Sequence, residues 1–279
     1  MKSPLLTVLL PVRNGMPYLI EAVESILNQT FSAFEFLIID DASMDGTTEF
    51  LATVAARDDR VRVLRRETSC GLGAALRFGM QQTRTSWVAR MDADDIALPH
   101  RLERQMAFVD ANPQFDIVGA WAMEIDNGGS ALQTRTVPVA HPDIIKLLWA
   151  NPMLHPTVVM RKSAIERAGS YADQVRRHED YDLWFRCAAA KLLFANIPEV
   201  LLHYRTSGIV GRKVGFAHTV AQIRIGLRGC WRVRASPHSY VLVFGVLAKE
   251  FIARTPRPIA ECGLWLARLL DQRARPRQP

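Results

Sequence analysis

The chain has 279 residues, 49% hydrophobic and 23% charged, a balance that suits a globular protein with a sizeable core and excludes a disordered or fibrous one. Its formal charge of +7 is uneven: residues 201–279 hold 14 Lys/Arg against 3 Asp/Glu, a net +11, whereas residues 1–200 hold 21 against 25. A mildly acidic body with a basic tail points to an anionic partner, a membrane surface or nucleic acid, although a solvated helical face has the same composition.

Met1-Lys2 and the apolar run over residues 5–12 imitate a signal peptide. Pro11 and Arg13 interrupt that run and no small-residue cleavage site follows, so it is expected to be a buried first strand, over residues 5–10 and ending at Pro11. Residues 18–27 then put Leu19, Val23, Ile26 and Leu27 on one helical stripe. Residues 34–39 read as a second buried strand ending in Asp40-Asp41, 47–56 as a helix, 61–64 as a third strand and 72–82 as a helix behind Gly71. A fourth strand, 87–91, delivers Asp92, Asp94 and Asp95. Such alternation implies a parallel sheet with helices on both faces, and ligands in such sheets bind beyond the carboxyl ends of the strands, where both acidic clusters fall.

After Pro99 the pattern changes. Residues 101–109 are expected to be helical, 116–125 and 131–137 a hairpin around Asp126-Asn127-Gly128-Gly129, and 141–149, 162–168 and 179–190 helices. His203-Tyr204-Arg205 ends a further strand. Beyond about Thr206 only basic amphipathic helices are expected, separated by Pro237, Pro256 and Pro258. Cys70, Cys187, Cys230 and Cys262 are too widely spaced for a zinc pattern and read as reduced residues of a cytosolic protein. No stretch reaches the roughly 18 uncharged residues of a membrane span.

Four groups could carry chemistry. Asp92-Ala93-Asp94 offers hard oxygens for magnesium or manganese and for a ribose, while Asp95 could instead cap a helix beginning at Ile96. Asp40-Asp41 could accept bonds from a base or ribose, or cap the helix after Gly46. Glu179-Asp180-Tyr181-Asp182 stands at a helix start, where acids are electrostatically favoured, and could equally supply a general base. His155 and His203 are each either structural or contacts for a diphosphate or metal.

These residues resemble glycosyltransferase family 2. The likeness lies in Leu9-Leu10-Pro11-Val12-Arg13-Asn14-Gly15, Ser25-Ile26-Leu27-Asn28-Gln29-Thr30-Phe31 and Asp40-Asp41-Ala42-Ser43-Met44-Asp45-Gly46-Thr47. It continues through Gly71-Leu72-Gly73-Ala74-Ala75, Ala89-Arg90-Met91-Asp92-Ala93-Asp94-Asp95 and Leu98-Pro99-His100-Arg101-Leu102. His155-Pro156-Thr157, Glu179-Asp180-Tyr181-Asp182-Leu183-Trp184 and His203-Tyr204-Arg205 complete it, so that residues 4–206 are covered in order.

The resemblance implies a GT-A (Rossmann-like) α/β fold with a mostly parallel sheet, and an inverting, metal-dependent, hexosyltransferase-type enzyme. The donor would be a nucleoside diphosphate sugar, usually UDP-linked. The acceptor would be a saccharide or lipid-linked saccharide, as in bacterial-type cell-surface polysaccharide or glycolipid synthesis. By motif, Asp41 would contact the base, Asp92 the ribose or sugar, Asp94 the Mn or Mg ion, and Asp180 would be the general base. Pro11, Arg13, Asn14, Arg90 and Ala93 would join the nucleotide-sugar site; His155, Glu179, His203 and Arg205 are secondary candidates. Arg13 stands where an aromatic residue often stacks on uracil, and a guanidinium also stacks on a base.

The implied organisation is a glycosyltransferase domain over residues 1–206, with a nucleotide-binding half (1–98) and an acceptor half (99–206), followed by a basic helical extension over 207–279. That extension reads as an interfacial anchor carrying Arg224, Arg228, Arg232 and Arg234 among Ile223, Leu227 and Trp231, at the cytoplasmic face of a membrane. No nucleic-acid recognition motif accompanies it. Two rivals stand beside this reading. A nucleotidyltransferase acting on sugar phosphates would need a glycine-rich phosphate loop after the first strand, where Pro11-Val12-Arg13-Asn14-Gly15 has one glycine. A non-catalytic sugar-binding protein of the same fold would not need Asp92, Asp94 and Asp180 together.

Overall fold

The computed structural model describes residues 4–172, 175, 177–206 and 216–252. The chain divides into two compact units, residues 1–212 and 213–279.

The first unit opens with β1 (Leu6–Val12), α1 (Leu19–Leu27), β2 (Phe34–Asp40), α2 (Thr47–Arg57), β3 (Val61–Arg65), α3 (Leu72–Gln82) and β4 (Trp87–Arg90). These four strands lie in the order β3-β2-β1-β4, all parallel. β1 and β2 are apolar almost throughout because the sheet is covered on both faces; Val8, Leu9, Leu10, Phe36, Leu37, Ile38 and Ile39 are all buried. α1 buries Leu19, Ala22, Val23 and Ile26, nearly the stripe expected from spacing. The chain runs from β1 outward to β3 and then returns to the other side of β1 for β4. That reversal opens a crevice at the carboxyl ends of β1 and β4.

β1 runs through Pro11 to Val12, two residues beyond the expected strand over 5–10. The oxygen of Leu9 accepts from the amide of Met91 at 3.0 Å, and Pro11, two residues on, faces the same side past the last β1–β4 pair. Its missing N–H therefore breaks no ladder bond, while Val12 still pairs with Asp40.

The second half contributes β5 (Ile96–Ala97), α4 (Arg101–Ala111), β6 (Ile117–Ile125), β7 (Ala131–Arg135), α5 (His141–Lys146), β8 (Val159–Arg161), α6 (Lys162–Arg167), α7 (Glu179–Ala189) and β9 (Phe194–Arg205). β8 runs antiparallel between β4 and β6, β9 parallel to β6, and β5 antiparallel to β9, so the sheet as a whole is mixed. The expected hairpin is β6–β7, its turn held by Asp126 Oδ1, which accepts from the amides of Gly128 (2.8 Å) and Ser130 (2.9 Å). The expected helix over 141–149 is α5 followed by a separate 3₁₀ turn, Leu148–Ala150. No helix starts at Asp95: Ile96 and Ala97 pair with His203 and Leu202, and α4 waits until Arg101. Its start is fixed by Gln29, which donates to Leu98 O (2.7 Å) and accepts from Leu102 N (3.0 Å).

The second unit holds α8 (Phe216–Arg232) and α9 (Pro237–Ile252), which bury Ile223, Cys230, Leu242 and Val243. No described helix is long and apolar enough to cross a membrane. The remainder of the expected extension, with Pro256, Pro258 and Cys262, lies outside the described residues.

His155 belongs to the core of the first unit. It is buried, with Nε2 2.8 Å from the Tyr171 hydroxyl and its ring edge-on to Trp184. Burial, aided by the nearby Arg90 charge, holds the imidazole well below its usual protonation range. The unfolded chain takes up this proton first, so the native state loses stability as pH falls below about 6.5. His155→Gln is expected to lose less stability than the wild type between pH 7 and pH 5, read as urea-unfolding midpoints.

Candidate active site

The crevice is built around the end of β4. Arg90, the last residue of that strand, is buried and forms an ion pair with Asp92. Burial works against the guanidinium charge, but Asp92 outweighs it and keeps the group firmly protonated. Two of its nitrogens, Nε and Nη1, are buried without a hydrogen-bond partner.

Beyond Met91 the loop presents Asp92, Asp94 and Asp95, whose carboxylates each offer an oxygen within 4.8 Å of the others. Asp95 is buried; Oδ1 accepts from the Arg205 amide at 2.8 Å, while Oδ2 is buried with no partner. Burial, then the charges of Asp92 and Asp94, push the Asp95 carboxyl well above the usual carboxylate range. Asp94 is raised in the same direction, by burial and then by Asp92. Crowded carboxylates with an unsatisfied buried oxygen fit a hard divalent cation.

Arg205, at the end of β9, holds this loop from behind. Its Nε donates to Asp94 O (2.9 Å), and Nη1 donates to Asp126 O (3.0 Å) and Asn127 O (2.9 Å). Nη2 pairs with Glu21 of α1 at 2.6 Å, and the guanidinium lies over the Tyr18 ring at 4.4 Å. Arg101, wholly buried in the first turn of α4, donates to Arg90 O at 2.7 Å and so fixes the strand's last carbonyl. Burial, with the charge of Arg90 adding to it, brings its guanidinium down to about 9 against the opposing pull of Asp95 and Asp92.

On the β2 side, both adjacent acids are bonded to local loops. Asp40 accepts from Ser43 N (2.9 Å) and Thr48 Oγ1 (2.7 Å). Asp41, also buried, accepts from Ser69 Oγ (2.7 Å), Cys70 N (3.1 Å) and Gly71 N (3.0 Å), pinning the loop that leads into α3. The turn after β1 is stitched to its neighbour: the amides of Asn14, Gly15 and Met16 donate to Ser43 Oγ, Thr47 Oγ1 and Asp45 Oδ2 at 2.9–3.0 Å. None of these three amides is left to cradle a phosphate, as a nucleotidyltransferase loop would need. Pro11 is buried beneath this turn and Arg13 is exposed on it.

The first turn of α7 closes the other side. Glu179 is buried and Asp180 half-buried. Burial, then Asp180, raises the Glu179 carboxyl, and Asp92 adds to the effect, so the α7 turn lies within electrostatic reach of the β4 loop. Asp180 Oδ2 accepts from Asn151 Nδ2 at 2.8 Å and Oδ1 from the Tyr181 amide at 2.7 Å.

The structure thus gathers Arg90, Asp92, Ala93, Asp94 and Glu179, with Asp180 beside them and Arg205 behind. It keeps His155 in the core and sets His203 in the β9 ladder opposite Ile96, where burial lowers its imidazole. Sequence reasoning passed over Asn151 and Arg101. The Asn151-Pro152 pair is a turn signal, and Arg101 stands in a quoted motif, but neither feature announces a bond to the site.

The sequence pattern of glycosyl transferase family 2 matches residues 7–169. Among relatives, the amylovoran biosynthesis glycosyltransferase AmsE of Erwinia amylovora is 32% identical over 74% of this chain and 77% of its own length. The UDP-Gal:alpha-D-GlcNAc-diphosphoundecaprenol beta-1,3-galactosyltransferase of Escherichia coli is 29% identical over 76% of this chain and 78% of its own. Among solved structures, S. aureus TarS 1-349 in complex with UDP-GlcNAc is similar over 93% of this chain and 79% of that one, with TM-score 0.68. The mannosyltransferase PcManGT from Pyrobaculum calidifontis, in complex with GDP-Man and Mn2+, is similar over 96% and 76%, with TM-score 0.60. Both are 17% identical to this chain, so that likeness bears on the fold, which is GT-A-like.

A carboxyl raised in the folded state ionises more readily in the unfolded chain, so Asp95 draws stability out of the native state as pH rises above about 4. Asp95→Asn is therefore expected to raise Tm at pH 7 in EDTA-containing buffer, with the gain shrinking toward pH 4. Calorimetry at the two pH values measures it.

Proposed function

The chain belongs to glycosyl transferase family 2, and we propose that it transfers a sugar, with inversion, from a nucleoside diphosphate sugar to a saccharide or lipid-linked saccharide acceptor. The observation that carries this reading is the cluster of Asp92, Asp94 and Asp95 just beyond the end of β4, at the β1–β4 switch point of the sheet. The UDP-sugar and the diphosphoundecaprenol acceptor in the Escherichia coli relative's name, and UDP-GlcNAc in the S. aureus TarS complex, support a UDP-linked donor and a lipid-linked acceptor. Amylovoran synthesis by the Erwinia relative supports a place in polysaccharide assembly.

In this reading Asp41 and the Pro11-Val12-Arg13-Asn14 turn hold the base, with the Arg13 guanidinium stacked on it. Asp92, oriented by Arg90, takes the ribose or sugar. Asp94, with its neighbours in the cluster, would hold manganese or magnesium; the Mn2+ of the Pyrobaculum structure is consistent with that choice. When bound, such an ion supplies Lewis-acid stabilisation of the departing diphosphate. Asp180 accepts the proton of the acceptor hydroxyl, whose oxygen forms the new bond to the anomeric carbon on the face opposite the diphosphate. The bond from that carbon to the diphosphate oxygen breaks, and the nucleoside diphosphate leaves with the electron pair.

A panel of nucleotide sugars, assayed for release of nucleoside diphosphate with manganese present, identifies the donor. Asp180→Asn and Asp94→Ala are each expected to lower transfer by about 100-fold or more with unchanged circular dichroism. Normal transfer by a folded Asp180→Asn enzyme removes Asp180 from the base role.

The second unit suits the inner face of an anionic membrane. On α8, Arg224, Arg228 and Arg232 are exposed at four-residue spacing beside Trp231, which is 76% exposed; on α9, Val241 and Phe244 are exposed as well. Basic side chains with an indole among them bind at the headgroup level of anionic bilayers. Replacing the three arginines together by Glu is expected to weaken binding to phosphatidylglycerol-containing vesicles by roughly 100-fold or more in sedimentation assays, with no effect on phosphatidylcholine vesicles. Undiminished binding excludes this surface as the anchor.

A further inference from the structure

The carboxylate proposed as the base is held by a residue outside every motif that marks the site. Asn151 follows the 3₁₀ turn Leu148–Ala150 with φ 53° and ψ 70°, a left-handed conformation that Asn, Asp and Gly adopt most readily. Its backbone amide bonds to Leu148 O at 3.1 Å, and its side-chain Nδ2 donates to Asp180 Oδ2 at 2.8 Å. An ionised carboxylate only accepts, so the amide can face it only through nitrogen; this leaves Asn151 Oδ1 buried and without a partner.

One residue further along α7, the Tyr181 hydroxyl donates to Trp149 O at 2.7 Å, so the turn and the helix start are joined at two successive positions. The other Asp180 oxygen accepts from the Tyr181 amide. Each oxygen therefore holds one donor, and the plane of the carboxylate is fixed. A stable turn alone does not require this arrangement, because Gly would satisfy the backbone and leave no orphaned carbonyl.

We propose that Asn151 is a positioning residue for Asp180: its amide sets the carboxylate's orientation and directs the remaining lone pairs at the acceptor hydroxyl. This rests on the reading of Asp180 as the base. The consequence is confined to the chemical step, since among the described residues Asn151 hydrogen-bonds to Leu148 and Asp180, neither of them assigned to the donor.

Asn151→Gly and Asn151→Asp in the full-length protein test it, because both tolerate the left-handed backbone. Asn151→Gly is expected to lower kcat roughly tenfold with donor KM within about twofold of wild type. Asn151→Asp is expected to fall further at neutral pH and to move the acid limb of the kcat profile to higher pH, as two carboxyls in contact disfavour double ionisation. Among the described residues, Glu179 on the same helix and Tyr171 from the preceding segment, whose charges couple to Asp180, are the same in every variant, so the shift is read against wild type. Wild-type kcat and pH profile in both variants overturn the proposal. So does a loss of kcat that comes with a raised donor KM and a lowered Tm, which marks a structural turn. Asp180→Asn assayed in parallel separates the two ideas: if it stays active the base assignment fails, and if it is inactive while the Asn151 variants behave as wild type, only the positioning role fails.

Discussion

Holding three carboxylates together at the end of one strand, against their mutual repulsion, is the constraint on which the rest of the first unit depends. Burial, then the charge of Asp92, raises the proton affinity of Asp94, and burial with the charges of Asp92 and Asp94 raises that of Asp95. The counterweight is cationic and buried. Arg90 pairs with Asp92 from the strand itself, Arg205 binds the loop's backbone from β9, and Arg101 fixes the carbonyl at the strand's end. None of these arginines reaches solvent to any extent, so their attraction to the cluster is screened far less than that of a surface pair. The net result is a loop kept in a shape that its own charge opposes.

That demand explains the design of the second half. β5 is only two residues long, yet its pairing with β9 brings Arg205 under the acidic loop. The β6–β7 turn supplies Arg205 with the carbonyls of Asp126 and Asn127, and α1 supplies Glu21. Three separate stretches of chain thus converge on one guanidinium. The mixed part of the sheet serves to carry that residue to the parallel part.

The parallel half was legible because buried strands and amphipathic helices write themselves in hydrophobic spacing: residues 34–40 and 72–82 fold much as their pattern dictates. Local patterns could not reveal how β8 and β9 pair, since antiparallel insertion between β4 and β6 is decided by contacts far apart in sequence. Asp95 illustrates the same limit. Alone it reads as a helix cap; in the fold its partner is the amide of Arg205, 110 residues away. His155 shows the same limit, because a lone histidine reads equally as structural or as a ligand, and only the fold sets it against Tyr171 and Trp184. The acidic residues at strand ends were visible from sequence, with Arg90 and Arg205 among their neighbours, whereas the bonds that Asn151 and Arg101 make to the site were not.

The stitching of the β1 turn to the β2–α2 loop separates two jobs that often fall to the same atoms. Asn14, Gly15 and Met16 commit their amides to Ser43, Thr47 and Asp45, so the backbone of this wall is complete before any ligand arrives. Arg13 stands exposed on the same turn. A change at Arg13 therefore alters the outer surface of this wall without unpicking a bond that the fold relies on. Such a frame leaves the rim position free to vary in size and charge, because the bonds that hold the scaffold lie in the backbone beneath it.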